Sequence, residues 1–446
     1  MPPHATDGTV LERPSLTTTI TPTTPAASTR SRVFPLLVFV LTFGLLLSDY
    51  MSRQVLSAVF PFLKVEWSLT DTQLGGMTSI VALTVGLLAV PLSLLGDRWG
   101  RSKAIVAMGA LWSLATLGSA VAANYDQMMI ARFFVGLGEA AYGSVGLAVV
   151  LMVFSPARRA SLSGAFMAGG SFGSVLGVFL GGILAVHLGW RWSFGVMALL
   201  GIVLVALYLV LVSDAKLARN QHPGNLPVDR SSGRTRRAKL RTLVSTPSVI
   251  CAYLGSGLQL FIVGSLFAWM PSYLNRAYGL APDKAGIAAA GFILLMGVGM
   301  IVCGMVTDRL TLTRPIRKWT TALVYASLSL VLLPLGFAQD PGTLQIVLIA
   351  AGAFFAAGTT GPAGAMVANL TPASIRATAF GTLTLANNLL GLAAGPFVVG
   401  LLADQIGLVD AMKFVPLVSV LAIIALFIGR KAYPSSIRRA GAVASA

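Results

Sequence analysis

The chain has 446 residues, of which 56% are hydrophobic and 11% charged, and its mean hydropathy is +0.82. A soluble domain carries about 25% charged residues, so a water-soluble enzyme or binding module is excluded and a polytopic membrane protein is expected. The net charge of +17 invites a nucleic-acid partner, but most of the Lys and Arg fall in alternate connections, on the side that also holds both termini. That asymmetry is the positive-inside pattern; it places the termini in the cytoplasm and leaves membrane lipid, not nucleic acid, as the expected basic-surface partner.

In chain order, residues 1–32 are rich in Thr, Pro and Ser and read as a disordered cytoplasmic tail. No apolar core precedes the first long span, so no cleavable signal peptide is expected. A membrane span needs about 20 apolar residues. Twelve such stretches follow, centred near residues 47, 84, 113, 140, 174, 202, 260, 296, 328, 357, 391 and 420. Six lie within 33–213 and six within 248–432. Between them, 214–247 holds eight basic and two acidic residues and reads as a cytoplasmic linker. Residues 433–446 read as a second cytoplasmic tail.

Local signals fit this plan. Thr70 and Gln73 match a capping box at the start of the second span, and Pro282 suits the start of the eighth. Glycines crowd the fifth span (Gly173, Gly177, Gly181, Gly182) and the eleventh (Gly391, Gly395, Gly400). Small residues at four-residue spacing let helix backbones approach in lipid. Trp269 and Tyr273 fall toward the outer end of the seventh span and are expected in an interfacial aromatic belt. Cys251 and Cys303 sit in apolar segments and read as packing residues, with neither a disulfide framework nor metal-ligand spacing.

The halves repeat. The approach to the second span, Ser68 to Gly75, is matched by Gly279 to Gly286 before the eighth. Asp97-Arg98 recurs as Asp308-Arg309. Pro156-Ala157-Arg158-Arg159-Ala160 after the fourth span is matched by Pro372-Ala373-Ser374-Ile375-Arg376-Ala377 after the tenth. Several matches in order indicate duplicated six-helix bundles with a site near the midplane between them, worked by rocking one bundle against the other.

Four ionisable residues lie inside apolar segments: Asp49, Arg53, Arg132 and Glu139. A charge at bilayer depth costs about 2.5–3.5 kcal/mol on insertion scales and marks function by default. Asp49 and Arg53 are four apart and share a helix face; Arg132 and Glu139 are seven apart and share another. At 1.5 Å per residue, Arg53 lies about 6 Å beyond Asp49, and Glu139 about 10 Å deeper than Arg132. A guanidinium fork fits a carboxylate or phosphate, so Arg53 and Arg132 are the candidate anion holders. Glu139 is the first proton candidate and Asp49 the second, since a solute engaging the arginines changes the proton affinity of a nearby carboxyl. The competing reading is a static ion-pair network that only joins spans one and four. In the second half the matching region is polar but uncharged. Gln259 and Asn387 are candidates for solute contact or, equally, for interhelical hydrogen bonds.

Nothing points to an enzyme or a cofactor. His4, His187 and His222 lie in the tail, at a span end and in the linker, and no Gly-Lys-Ser/Thr phosphate loop is present. No metal site is expected.

Leu95-Gly96-Asp97-Arg98-Trp99-Gly100-Arg101-Ser102-Lys103, with its counterpart Gly304-Met305-Val306-Thr307-Asp308-Arg309, resembles the signature loop of the major facilitator superfamily. Asp49-Tyr50-Met51-Ser52-Arg53 and Arg132-Phe133-Phe134-Val135-Gly136-Leu137-Gly138-Glu139-Ala140-Ala141-Tyr142 resemble motifs shared by its spinster-like and organic anion–proton symporter branches, with Ala141-Tyr142-Gly143-Ser144 closer to the spinster pattern. The family places an acid at the position of Ser52 and Asn at that of Asp49, so here the acid has moved one turn.

The resemblance implies an all-α fold of twelve transmembrane helices in two pseudo-symmetric six-helix bundles. It implies inner-gate roles for Asp97, Arg98, Arg101, Asp308 and Arg309, and adds Tyr50 to the candidate solute contacts. The expected protein is a monomeric, proton-coupled carrier in a bacterial inner membrane. Its partners would be protons and a small organic anion or lysolipid. A drug–proton antiporter is the runner-up, weakened because Gly177 is followed by Val178 and not by Pro. A receptor or scaffold is the reading from a different class, disfavoured because a scaffold needs no inner gate.

Overall fold

The computed structural model describes residues 33–222, 246–312, 314–371 and 376–444. The expected tail at 1–32, most of the linker and residues 372–375 of the repeat lie outside the described residues. Among those described, twelve helices are long and apolar enough to cross a membrane. They are α1 (Val33–Glu66), α2 (Asp71–Gly96), α3 (Arg101–Val121), α4 (Tyr125–Val153), α5 (Ser161–His187), α6 (Trp190–Leu211), α7 (Pro247–Tyr278), α8 (Pro282–Thr311), α9 (Arg317–Phe337), α10 (Thr343–Leu370), α11 (Thr378–Ile406) and α12 (Leu408–Arg438). A helix satisfies all its own backbone hydrogen bonds, which is why it is the form such segments take in lipid. The helix of α2 runs on to Trp99 and that of α12 to Ala444.

The packing repeats between halves. In the first, α1 packs on α5 and α6, α3 on α4 and α6, and α2 on α4. In the second, α7 packs on α11 and α12, α9 on α10 and α12, and α8 on α10. Glycine sets the α1–α5 distance: a Cβ on Gly173 would stand 2.5 Å from the Leu47 carbonyl oxygen. The symmetric α7–α11 approach uses Gly391 and Gly395 against the backbone of Gly257 and Phe261.

Across the halves, α2 lies against α11, α5 against α8 and α1 against α7. The apolar cores show where the halves join. At the end where α2 begins, one core runs through both halves, from Met51, Phe60 and Leu74 to Trp269, Phe292 and Val415. At the other end, which holds the α2–α3 connection and the linker, each half has its own core, around Leu45, Trp112 and Tyr142 in the first and around Val249, Trp319 and Leu426 in the second. One core joins the halves on one side, and on the linker side each half keeps its own core.

Two helices break at symmetric places. α4 stops at Glu139 and resumes at Tyr142, and α10 stops at Ala357 and resumes at Thr360. α11 carries a π-helical stretch, Asn387–Ala393, a form that occurs mostly as short bulges inside α-helices and frequently at functional sites.

The interfacial-belt expectation for Trp269 and Tyr273 fails. Both are fully buried. The Trp269 indole donates to the Pro396 carbonyl of α11 at 3.0 Å and lies 5.2 Å from the Phe60 ring of α1, while Tyr273 packs edge-on to Phe337. α7 is the inner helix of its half, so aromatics near its end meet protein where a peripheral helix would present them to lipid. Cys251 and Cys303 are free and buried, as packing residues are.

Candidate functional site

The four intramembrane charges converge where α1 crosses α4. Asp49 (5% exposed), Glu139 (7%) and Arg132 (0%) are buried, and Arg53 is half-buried. They form a polar slice between the core shared by both halves and the core private to the first. The carboxyls of Asp49 and Glu139 lie close enough for their charges to interact. Among the described residues no donor reaches Asp49 Oδ1 or Glu139 Oε1. Both acids also feel the charge of Arg53.

The two arginines are used differently. Arg132 reaches from α4 to the backbone of α1: Nη1 donates to the Ser52 carbonyl at 3.0 Å and Nη2 to the Arg53 carbonyl at 3.1 Å. Arg53 makes no ion pair within 4.0 Å among the described residues, and neither do Arg132, Asp49 and Glu139. The charges are close without being locked into side-chain pairs.

Local structure explains why α4 presents Glu139 here. Gly138 and Gly136 admit the backbones of α3 at Trp112 and of α2 at Val81, where a Cβ would collide. The helix then breaks at Ala140 and Ala141. Tyr142 re-anchors it by donating to the Thr42 carbonyl at 2.7 Å and by edge-on packing with Trp112, centroids 4.9 Å apart. The break frees the last turn before it from a continuous helical ladder, and Glu139 closes that turn.

Other predicted site residues are scattered. Tyr50 lays its ring against Gly170 of α5. Gln259 is fully buried and donates to Ser419 Oγ at 3.1 Å, joining α7 to α12 away from the charged cluster. Asn387 is half-buried and opens the π-helical stretch of α11. At the linker side Arg98, Asp308 and Arg309 are exposed, and the Asp97 side chain lies outside the described residues. Arg101 begins α3, whose Ser102 amide donates to Asp214 Oδ1 at 2.9 Å. Asp214 opens a short helix, Asp214–Arg219, at the start of the linker, so the signature loop is tied to the end of α6.

The sequence reading missed a second polar cluster at the end where one core joins the halves: Lys64 and Asp71 of the first half with Arg276 and Asp404 of the second. Asp71 and Arg276 are 205 positions apart, and each alone looks like an ordinary helix-end charge.

The family model of the Major Facilitator Superfamily matches residues 42–335 and 252–444. The chain belongs to this superfamily. Among its members the chain is similar to spinster proteins and to an efflux pump. It is 25% identical over 388 residues to Protein spinster homolog 1 of Xenopus laevis, covering 83% of this chain and 73% of that one. It is 28% identical over 366 residues to an MFS-type efflux pump of Mycolicibacterium smegmatis, covering 80% and 82%. Its fold matches a crystal structure of a bacterial homologue of the human lysosomal transporter spinster in an inward-facing and unoccupied conformation, with TM-score 0.78 at 18% identity over 91% of this chain and 99% of that one. The chain is therefore a multi-pass membrane transporter, not an enzyme.

Proposed function

We propose that this transporter couples protons to an organic anion, with Arg53 as the anion receptor and the Asp49–Glu139 pair as the proton carrier. The observation that carries the reading is the buried carboxyl pair beside an arginine that no carboxylate has claimed. A hydrogen bond between two carboxyls requires a proton on one of them, because two carboxylates have only acceptors. Buried like charges in contact are strongly disfavoured, so such a pair holds one proton between its members and titrates as a unit.

Coupling follows from Arg53. Its charge favours loss of the shared proton; a bound anion cancels that charge. Anion and proton therefore reinforce each other's binding, and by linkage the effect is reciprocal. Loaded with both, the site has shed its net charge and crosses more easily. A charged wall on α1 and α4 faces the uncharged second half, which suits a small aromatic or alkyl carboxylate or an amphiphile with an anionic head, such as a lysolipid.

The remaining parts fit alternating access. Residues 33–213 and 248–432 serve as the rocking bundles of a monomer, 214–247 as their linker, and 1–32 and 433–446 as tails. The linker side faces the cytoplasm of a bacterial inner membrane, in keeping with the positive-inside pattern. The separate cores on that side support an inward-facing form. Asp97, Arg98, Arg101, Asp308 and Arg309 then act as the inner gate, with Arg98, Asp308 and Arg309 exposed while it stands open. Gln259 and Asn387 are secondary to Arg53 in solute contact, since Gln259 already bonds Ser419.

The test is transport by purified protein in liposomes against a panel of small carboxylates and lysolipids, with and without a pH gradient. Glu139→Gln is expected to abolish proton-driven accumulation while leaving counterflow exchange of the transported solute intact. Equal loss of both activities would show that Glu139 holds the fold and does not carry the proton.

A further inference from the structure

The start of α2 leaves backbone N–H groups without helical partners, as every helix start does. Thr70 and Gln73 satisfy two of them within the first half: the Gln73 amide donates to Thr70 Oγ1 at 3.2 Å, and the Thr70 amide to Gln73 Oε1 at 3.0 Å. The Asp71 and Thr72 amides look elsewhere. They donate to Oδ1 and Oδ2 of Asp404 at 2.7 and 2.9 Å, and the Thr72 hydroxyl adds a third bond to Oδ2 at 2.5 Å. Asp404 lies in the last turn of α11, in the other half. A carboxylate at a helix N-terminus is favoured both by the free donors and by the helix dipole.

A second contact runs the opposite way. Arg276, in the last turn of α7, grips the Asp71 carboxylate with both arms of its fork, Nη1 to Oδ2 and Nη2 to Oδ1, each at 2.7 Å. The Asp71 side chain is 3% exposed. Lys64 of α1 bonds the same carboxylate at 2.6 Å, but from within the first half. Just below, Gly400 of α11 meets the Asp71 carbonyl and Gly75 of α2 meets the Pro396 carbonyl, with no room for a Cβ at either. The α5–α8 seam on the same side closes through Gly182 against Pro282 and Gly286 against Val178, and among the described residues it holds no ion pair.

We infer that Asp71 and Asp404 form a reciprocal ionic latch that holds this side of the transporter shut. Each half supplies one carboxylate and receives the other, so separation breaks the fork and the helix cap together. It also leaves Asp71 with Lys64 as its one remaining partner from this cluster. The closed state is then specified at the α2–α7–α11 corner, and the α5–α8 seam has nothing comparable to break. The latch is separate from the Arg53 site, and its test needs no solute, so it stands or falls independently of the proposed function.

The experiment measures the distance between spin labels at two exposed positions on the latched side, Asp126→Cys in the first half and Asp340→Cys in the second, with Cys251 and Cys303 replaced by Ser. The parent protein is expected to show one short separation. Arg276→Gln should raise the long-separation population on the order of thirtyfold, the lower scale expected when one partner of a buried charge pair is truncated, and Asp404→Ala about fivefold, the scale of a lost helix cap. Asp404→Asn, which keeps the side-chain size, serves if the alanine variant does not fold. Lys64→Gln removes a bond to the same carboxylate from the same half and should leave the distances unchanged. Unchanged distances in both bridging variants, or an equal opening by Lys64→Gln, would overturn the latch.

Discussion

Arg53 and Arg132 carry the same charge and do different work. Arg132 is sealed from solvent and spends two donors on the Ser52 and Arg53 carbonyls, so it seats the stretch of α1 from which Arg53 projects. Hydrogen bonds to a charged group contribute about 1.5–3 kcal/mol, enough to decide how α1 sits. If Arg132 acts through Arg53, their effects on solute binding will not add. With the carboxylate or lysolipid that raises the melting temperature in a ligand screen, Arg53→Ala and Arg132→Ala should each weaken binding. The double variant should bind no more weakly than the worse single one; additive losses would make Arg132 an independent contact. The four charges themselves were legible in the sequence, because an ionisable side chain stands out in an apolar run. Which arginine stays available was not. That depends on carbonyls of another helix, and the Asp71–Arg276 contact likewise depends on a meeting 205 positions apart.

Among the helices, α5 shows how packing serves the site. Gly173 lets α5 lie directly on the turn of α1 that carries Asp49, with a Cβ 2.5 Å from the Leu47 carbonyl oxygen and 2.8 Å from Tyr50 Cβ. Overpacking of this kind costs typically about 1–3 kcal/mol. Gly173→Ala should therefore lower the thermal unfolding temperature in detergent. Gly164→Ala, on the same helix where nothing lies within 4 Å, should leave it unchanged or slightly raised, since Ala is the better helix former. Equal effects at the two positions would contradict the packing role. The spans were readable because twenty apolar residues is a coarse signal that tolerates error. The capping box at Thr70 and the proline at the start of α8 were readable because they are local. The break after Glu139 was not: Ala140 and Ala141 are good helix formers, and the bend there is fixed by Tyr142 reaching Thr42. Trp269 and Tyr273 were misread because a hydrophobic residue near a span end looks the same to lipid and to a neighbouring helix.

For the molecule as a whole, the repeat in the sequence anticipated two matching bundles, and the paired contacts of α1–α5 with α7–α11 and of α3–α6 with α9–α12 show them. The symmetry is one of packing, not of chemistry. All four intramembrane charges lie in the first half, and the second offers uncharged groups such as Gln259 and Asn387. The conformation is a property of neither half alone. One shared core and the Asp71–Asp404 corner join the halves on one side, while on the linker side each half keeps its own core. No reading of one half at a time reaches that, because it is decided by contacts between residues hundreds of positions apart. The proposed cycle depends on the Asp49–Glu139 pair holding a proton at rest, ready to leave or stay with the solute.

The most direct test of that claim is infrared difference spectroscopy of the purified protein at neutral pH, following the C=O stretch of a protonated carboxyl and its shift in heavy water. The account predicts this band in the parent protein and its absence from the Asp49→Asn/Glu139→Gln double variant. A parent spectrum without the band, or a double variant that keeps it, would contradict a shared proton at the centre of the transporter.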